Sequence, residues 1–280
     1  MNKSELLELK KTACKVRLWT VEGVFNAKSG HPGGSLSAAD IMTYLYFKEM
    51  NVDPKNPKDP KRDRFVLSKG HCCPALYAAL ALKGFFPTEE IKSLRHIGAM
   101  LQGHPDMKNT PGVDMSSGSL GQGISAACGM ALSAKLSGDS YRVYAMLGDG
   151  ECEEGQVWEA AMFASHYKLD NLVAIVDYNG LQIDGSVEDV AGLDKLNEKF
   201  KAFGFEVFET DGHDFEQIED ALGKAKTIKD KPVAIIAKTV KGKGVSYMEN
   251  QVGWHGKAPN AEQYKTAMDE LNAQLKALEA

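Results

Sequence analysis

The chain has 280 residues, 43% of them hydrophobic, so it can bury a large core, and a small disulfide-stapled module is excluded. Its 33 lysines and arginines are interspersed with 38 aspartates and glutamates, and the net charge of -5 makes nucleic acid an unexpected partner. Five cysteines without C-x-x-C spacing favour a reducing compartment. Because the sequence contains neither a signal-peptide pattern nor an apolar run of about 20 residues, we expect a cytoplasmic protein with no membrane partner.

The N-terminal part of the chain predicts two helices separated by a turn. Apolar residues at three- and four-residue spacings predict a long helix over 4–27 with a wide buried face. The sequence SGHPGG that follows is typical of a turn, since glycine adopts unusual backbone angles and proline does not continue a helix. We expect Ser35 or Ser37 to cap a second helix that runs to about Met50.

After a polar loop, NVDPKNPKDPKRDR, strand-like and helical segments alternate along the chain. Short apolar runs bounded by turn residues predict buried strands at about 142–147, 172–177, 205–209 and 232–237. Helical patterns fill 121–137, 153–167, 193–203 and 214–228. This order indicates an α/β fold, with a doubly wound, mainly parallel sheet and helices on both faces.

A last helix is predicted over about 260–278. Asn260 is a suitable N-cap, and Gln263 follows it in capping-box spacing. We find no internal repeat, low-complexity segment or obvious linker in the sequence. A single domain over 1–280 is therefore expected.

Two neighbouring strand ends each carry an oxygen-bearing side chain. Asp149 lies between two glycines directly after one apolar run, and Asn179 follows the next run one strand–helix unit later. Because ligands on parallel sheets bind at the carboxyl ends of the strands, these side chains are candidates for one site. Carboxylate and carboxamide oxygens suit Mg²⁺, whereas zinc favours Cys or His. Taken alone, Asp149 would more often be part of a simple Asp-Gly turn.

These residues and five further stretches carry a family resemblance. The stretches are KSGHPGGSLSAAD (28–40), LSKGHCCPALY (67–77), GHPD (103–106), SSGSLGQGISAACGMAL (116–132) and GWHGKAP (253–259). Over roughly residues 10–260 the chain resembles the N-terminal third to half of transketolase, a thiamine-diphosphate-dependent enzyme. The resemblance implies the diphosphate-binding domain of the thiamine-diphosphate-binding fold.

The resemblance implies a site for thiamine diphosphate and Mg²⁺, with Ca²⁺ or Mn²⁺ as substitutes for the Mg²⁺. Asp149, Asn179 and the main-chain oxygen of Leu181 match the metal ligands. The residues that match cofactor contacts are His71, Gly118, Leu120, Asp149, Gly150, Glu154, Asn179 and His255. A helix that begins near Gly121 would also favour the anionic diphosphate through its dipole and free N–H groups.

Catalytic roles for four histidines also follow from the resemblance. These are His31, His71, His104 and His255. His104 would bond the two-carbon ketol fragment, while His31 and His255 would assist proton transfers, a task that suits imidazole. The remaining histidines are interpreted as structural or surface residues. Glu154 and Glu159 match acidic residues at the contact between subunits.

The chain also departs from the single-chain enzyme. It ends at Ala280, where that enzyme continues into domains that hold the cofactor-activating glutamate and most of the sugar-phosphate-binding basic residues. We therefore expect a separately encoded C-terminal transketolase subunit, in an α2β2 assembly, and little activity without it. Local departures are Glu151 and Cys152 after Gly150, and Ser119 in GSLGQG. No role is predicted for KTVKGKG at 238–244.

The sequence thus predicts the N-terminal subunit of a two-chain transketolase. Such an enzyme transfers a two-carbon ketol unit from a ketose phosphate to an aldose, as in the pentose phosphate pathway of carbohydrate metabolism. Two alternatives are another thiamine-diphosphate-dependent enzyme, of synthase or 2-oxo acid dehydrogenase type, and a noncatalytic partner with this fold. The SGHPGG, GHPD and WHGKAP segments argue against the first alternative, and the intact histidines with Asp149 and Asn179 argue against the second.

Overall fold

Five strands form one parallel sheet in the computed structural model, which describes residues 1–193 and 195–280. The strands are β1 (Arg64–Leu67), β2 (Val143–Gly148), β3 (Leu172–Tyr178), β4 (Glu206–Asp211) and β5 (Val233–Lys238). Their order across the sheet is β1-β2-β3-β5-β4, and every neighbouring pair is parallel. The carboxyl ends of all five strands therefore lie along one edge of the sheet.

Helices connect the strands and cover the sheet. They are α1 (Lys3–Ala27), α2 (Pro32–Tyr44), α3 (Cys73–Lys83), α4 (Gln122–Ser137), α5 (Gly155–His166), α6 (Val187–Val190), α7 (Leu196–Ala202), α8 (Phe215–Thr227) and α9 (Ala261–Glu279). A π-helical turn, Leu45–Glu49, continues α2, and Asn260 starts α9 with the predicted capping box. Among the described residues, no helix has the length and apolar character needed to cross a membrane.

Successive residues of each strand pack on opposite faces of the sheet. In β2, Tyr144 and Met146 belong to a core shared with α1, α2, α3 and α8. Val143, Ala145 and Leu147 of the same strand belong to a second core, shared with α4, α5 and α7. Because both faces are covered, β2, β3 and β5 are apolar over nearly their whole length instead of alternating with polar residues. The edge strand β4 is more exposed and has the sequence EVFETD. The predicted doubly wound α/β fold is confirmed.

Gly33 and Gly34, which were predicted to belong to a turn after α1, lie instead within a helix, whereas Gly30 lies outside it with a φ of +144°. α2 begins at Pro32, a favoured first position for proline, and neither Ser35 nor Ser37 is its cap. Glycine is needed here for close packing, since a Cβ on Gly33 would lie 2.8 Å from the main-chain oxygen of Trp254. The prediction was wrong because sequence alone does not show which segment packs against these glycines.

Two elements in the first half of the chain were not predicted. β1 is four residues long and begins with the last residue of the predicted polar loop, so it is too short to show a period. α3 is buried on all sides over most of its length, and a helix without a polar face shows no amphipathic pattern. The predicted helix at 193–203 corresponds to α7, although residue 194 lies outside the described residues.

Candidate active site

A cavity of about 420 Å³, here called the cleft, lies at the carboxyl ends of β2 and β3. Pairing of Gly148 with Asp177 in the β2–β3 ladder brings Asp149 and Asn179 to neighbouring strand ends. All of the residues predicted for catalysis, the cofactor and the metal line the cleft, except His104. The lining residues among them are His31, His71, Gly118, Leu120, Asp149, Gly150, Glu154, Asn179, Leu181 and His255.

Asp149 is nearly buried, with 3% of its surface exposed. Its carboxylate accepts hydrogen bonds from the main-chain N–H groups of Gly150 (2.9 Å) and Gly180 (2.5 Å). Burial, helped by the nearby charge of Asp177, raises the pKa of Asp149 to about 6. The bond from Gly180 ties Asp149 to the turn that bears Asn179, so the two predicted metal ligands are held together.

The oxygen atoms around Asp149 fit a hard divalent cation. Asn179 adds a carboxamide oxygen, and Leu181 adds a main-chain oxygen that accepts a hydrogen bond from Lys241 Nζ at 2.9 Å. No three His, Cys, Asp or Glu side chains are grouped as a metal site within the described part of the chain. A cation here would depend on amide and carbonyl oxygens and on ligand oxygens, which is how Mg²⁺ is commonly held with phosphates.

Three of the predicted histidines form a cluster in the cleft. The ring centre of His31 lies 5.0 Å from that of His71 and 5.5 Å from that of His255, while His71 and His255 are 5.2 Å apart. Burial lowers the pKa to about 4 for His31 and His71 and to about 3 for His255. Near pH 7 each ring is therefore neutral, with one nitrogen that donates and one that accepts.

His104 borders the cleft without lining it. A Cβ on Gly118 would lie 3.3 Å from His104 Cδ2, so the histidine packs directly against the predicted cofactor loop. Burial lowers the pKa of His104, and the charge of Arg95 lowers it further. The four histidines of the prediction are therefore gathered around one cavity, with His104 at its border.

A buried ion pair beside the cleft was missed in the sequence. Lys69 Nζ contacts Asp177 Oδ2, and the two side chains are 2% and 0% exposed. The Asp177 carboxylate also accepts hydrogen bonds from Ser37 Oγ (2.6 Å) and Thr239 Oγ1. Burial alone would raise the pKa of Asp177, but Lys69 and these hydroxyls keep it lowered. The available signal was a single aspartate in the apolar strand LVAIVDY, because a buried charge requires a partner.

Lys241 is a second buried lysine at the cleft, only 1% exposed, and it comes from the KTVKGKG stretch. Its Nζ lies 3.0 Å from His255 Nδ1 as well as 2.9 Å from the oxygen of Leu181. Because an ammonium group only donates, His255 Nδ1 accepts and the ring proton lies on Nε2. Burial lowers the pKa of Lys241. Its ammonium group lies in the wall of the cleft, where it can contact an anionic ligand.

The N-terminus of α4 is bonded to a carboxylate of the protein. Gly121, the N-cap, donates its main-chain N–H to Glu151 Oε1 at 2.9 Å. A main-chain N–H group that was expected to favour the diphosphate at this helix start is thus bonded to an anionic side chain of the protein itself.

The two glutamates predicted at a subunit contact lie in different places. Glu154 lines the cleft, whereas Glu159 lies outside it in a separate cavity of about 300 Å³ between α4 and α5. Their role at a subunit contact stays a prediction.

Comparison with known proteins identifies the family. The family model "Transketolase, thiamine diphosphate binding domain" matches residues 9–276. The chain belongs to the transketolase family. The resemblance predicted from the motifs is confirmed.

Two curated relatives match this transketolase chain over nearly their whole length. The 6-deoxy-6-sulfo-D-fructose transketolase subunit SqwG of Clostridium sp. (strain MSTE9) is 47% identical, over 95% of this chain and 96% of the relative. A subunit of the apulose-4-phosphate transketolase of Phocaeicola vulgatus is 46% identical, over 98% of this chain and 97% of the relative. Human transketolase is 43% identical over 99% of this chain, but the match covers only 44% of the human protein.

Solved transketolase structures share the fold. The transketolase of Campylobacter jejuni superimposes with a TM-score of 0.90 at 34% identity, over 99% of this chain and 46% of that one. This transketolase chain therefore spans about half the length of the single-chain relatives and nearly the whole length of the relatives named as subunits.

Proposed function

We propose that this chain is the N-terminal subunit of a two-chain transketolase that uses thiamine diphosphate and Mg²⁺ in the cytoplasm. It binds the diphosphate half of the cofactor and, with a separately encoded C-terminal subunit in an α2β2 assembly, transfers a two-carbon ketol unit from a ketose to an aldose. The main support for the proposal is the cleft. The Asp149–Asn179 pair and all five stretches that carry the family resemblance contribute residues that line or border it.

The polar groups of the cleft support the cofactor assignment. Asp149, Asn179 and the oxygen of Leu181 supply hard oxygen ligands for Mg²⁺ next to the buried ammonium of Lys241. A diphosphate would thus meet a divalent cation and a lysine in a partly buried site, where both interactions are stronger than in water. Neither feature is needed for a structural Asp-Gly turn.

The histidines support a transferase role. Thiamine diphosphate, when bound, supplies the nucleophilic carbon for the transfer. The neutral rings of His31 and His71 each have one nitrogen that can accept a proton from a sugar hydroxyl, and His255 can donate a proton to the product. Lys241 orients His255 through its Nδ1, which leaves the Nε2 proton available. His104, next to Gly118, bonds the two-carbon fragment.

The lengths of the relatives support the need for a partner. Relatives named as subunits are matched over 96% and 97% of their lengths, whereas human transketolase is matched over 44%. The remainder of the single-chain protein therefore corresponds to a second polypeptide. We propose that activity is low without it.

The substrate class we propose is a ketose that carries an anionic group. The two relatives named as subunits are named for 6-deoxy-6-sulfo-D-fructose and apulose 4-phosphate, which carry a sulfonate and a phosphate. A donor panel should therefore contain xylulose 5-phosphate, apulose 4-phosphate and 6-deoxy-6-sulfofructose.

The test is a ketol-transfer assay with thiamine diphosphate, Mg²⁺ and this donor panel, for the chain alone and mixed with a candidate C-terminal chain. We expect turnover only in the mixture, with at least one donor of the panel. Full activity of the chain alone would contradict the two-chain assembly. A stable mixed complex without turnover on any donor would contradict the proposed substrate class.

A further inference from the structure

Glu151 is a buried carboxylate to which the proposed function assigns no task. It is 3% exposed and lies two residues after Asp149, in the DGECEEG segment. Its Oε1 accepts hydrogen bonds from Ser68 Oγ and from the main-chain N–H of Gly121, and its Oε2 accepts one from the main-chain N–H of Gly148 at 3.0 Å. One side chain thus satisfies three donors away from bulk water.

The three donors come from three different parts of the cleft wall. Ser68 directly follows β1, Gly121 caps α4, and Gly148 is the last residue of β2. Since these segments are far apart in the sequence, Glu151 joins the ends of two strands to the start of a helix. A carboxylate is suited to this because it offers two acceptor oxygens and no donor.

The loop from Gly118 to Leu120 is held by one hydrogen bond on each side, and these two bonds are here called its anchors. On one side, Ser117 Oγ donates to the main-chain oxygen of Leu67 at 2.6 Å. On the other side, Gly121 N donates to Glu151 at 2.9 Å. The second anchor also contacts the end of β2, so it links the loop directly to the segment that bears Asp149.

We propose that Glu151 is a positioning residue that fixes the spacing between the Gly118–Leu120 loop and the Asp149 end of β2. This inference rests on the proposed function, in which the Asp149 end binds the diphosphate. It also rests on the family resemblance, by which Gly118 and Leu120 match residues that contact the aminopyrimidine ring and the bend of thiamine diphosphate. A ligand that spans both parts needs the spacing, whereas a ligand that occupies only the Asp149 end does not.

The substitution Glu151→Gln tests this with little change in shape. A carboxamide has one acceptor oxygen, so in either orientation its NH₂ group faces the N–H of Gly121 or that of Gly148. One of these two main-chain hydrogen bonds is therefore lost. The matched control is Glu153→Gln, in the same turn and also in the wall of the cleft, where Glu153 accepts a side-chain bond from Gln182 at 2.7 Å and, among the described residues, no main-chain hydrogen bond. Both variants remove one negative charge.

The measurement is titration calorimetry of the full chain with two probes, Mg²⁺–thiamine diphosphate and Mg²⁺–pyrophosphate. Glu151→Gln is expected to weaken the thiamine diphosphate affinity at least tenfold and the pyrophosphate affinity less than threefold. Glu153→Gln is expected to change neither by more than threefold. Equal weakening of both probes by Glu151→Gln, no weakening of thiamine diphosphate, or the same losses in the control would overturn the positioning role.

Amide hydrogen exchange gives a readout that needs no ligand. Glu151→Gln should accelerate exchange at Gly121 or Gly148 at least tenfold, and unchanged exchange at both would overturn the inference. If the wild-type chain bound neither probe, the assignment of the Asp149 end to the diphosphate would fail, while this readout would still decide the role of Glu151. Ser68→Ala, which removes one donor and no charge, should act in the same direction by a smaller factor and serves if Glu151→Gln does not fold.

Discussion

The edge of the sheet carries two cavities that differ in how their charges are buried. One is the cleft at β2 and β3; the other, here called the outer groove, lies at the carboxyl ends of β4 and β5. The outer groove is lined by Glu209, Thr210, Asp211, His213, Gln217, Lys238, Thr239, Val240 and Lys243. Its volume, about 570 Å³, is comparable with the 420 Å³ of the cleft, so volume alone does not distinguish the two cavities.

The charged side chains of the two cavities differ in how much of their surface is exposed to water. In the outer groove, Lys238 and Glu209 lie 3.8 Å apart with side chains 68% and 47% exposed, so water screens the pair. Next to the cleft, Lys69 and Asp177 are 2% and 0% exposed. The comparison teaches that a parallel sheet places polar groups along its whole carboxyl edge, and that a site forms where neighbouring segments bury them.

The largest expected difference between the two regions is in stability. Asp177→Ala would leave the Lys69 ammonium buried without its carboxylate, and breaking a buried pair from one side costs about 3–5 kcal/mol. Lys238→Ala, the control in the outer groove, should cost about 1 kcal/mol or less. Urea unfolding of both variants measures the difference. Equal losses would show that burial does not separate the two regions.

The next effect is on ligand binding. Asp149→Ala removes a predicted metal ligand, and we expect Mg²⁺-dependent binding of thiamine diphosphate to weaken at least 100-fold. Asp211→Ala, an acidic residue at the end of β4 in the outer groove, should change the affinity less than twofold. Calorimetric titration of each variant checks this. Similar losses for both would place the ligand elsewhere along the edge.

A third effect concerns acid pH. His31, His71 and His255 have a lowered pKa, of about 4, 4 and 3, so they stay neutral in the folded protein while the unfolded chain takes up protons below about pH 6.5. The free energy of unfolding should therefore fall as the pH is lowered from 6.5 towards 4.

Denaturant unfolding at pH 7 and pH 5 measures this slope. Replacement of all three histidines by Asn should flatten it, whereas Lys238→Ala in the outer groove should leave it unchanged. If the triple variant lost as much stability on acidification as the wild type, the histidine cluster would not be its source.

Much of the fold followed from local patterns. Four of the strands were predicted to within a residue or two, because each is an apolar run bounded by turn residues. β1 was not predicted because four residues show no period. The start of α2 was predicted too late because Gly33 packs closely against Trp254 and Gly34 against Cys72, so neither glycine marks a turn. Sequence patterns do not predict the conformation of a segment when that conformation depends on packing against distant residues.

The candidate site was predicted through motifs and then brought together by the fold. Asp149 and Asn179 could be paired from the sequence, since each directly follows a buried strand. The supporting residues Lys69, Asp177 and Lys241 could not, because their partners lie in segments far away in the chain. Their role depends on contacts that no local spacing encodes.

The sequence by itself determined the order of strands and helices, the family, and which oxygen and imidazole groups are candidates, because periodicity and motif are local properties of a chain. Only the tertiary structure decided which charges are buried together, such as Lys69 with Asp177 and Glu151 with its three donors. The physical reason is that desolvation depends on what covers a group, and the covering segments reach the cleft from distant parts of the chain.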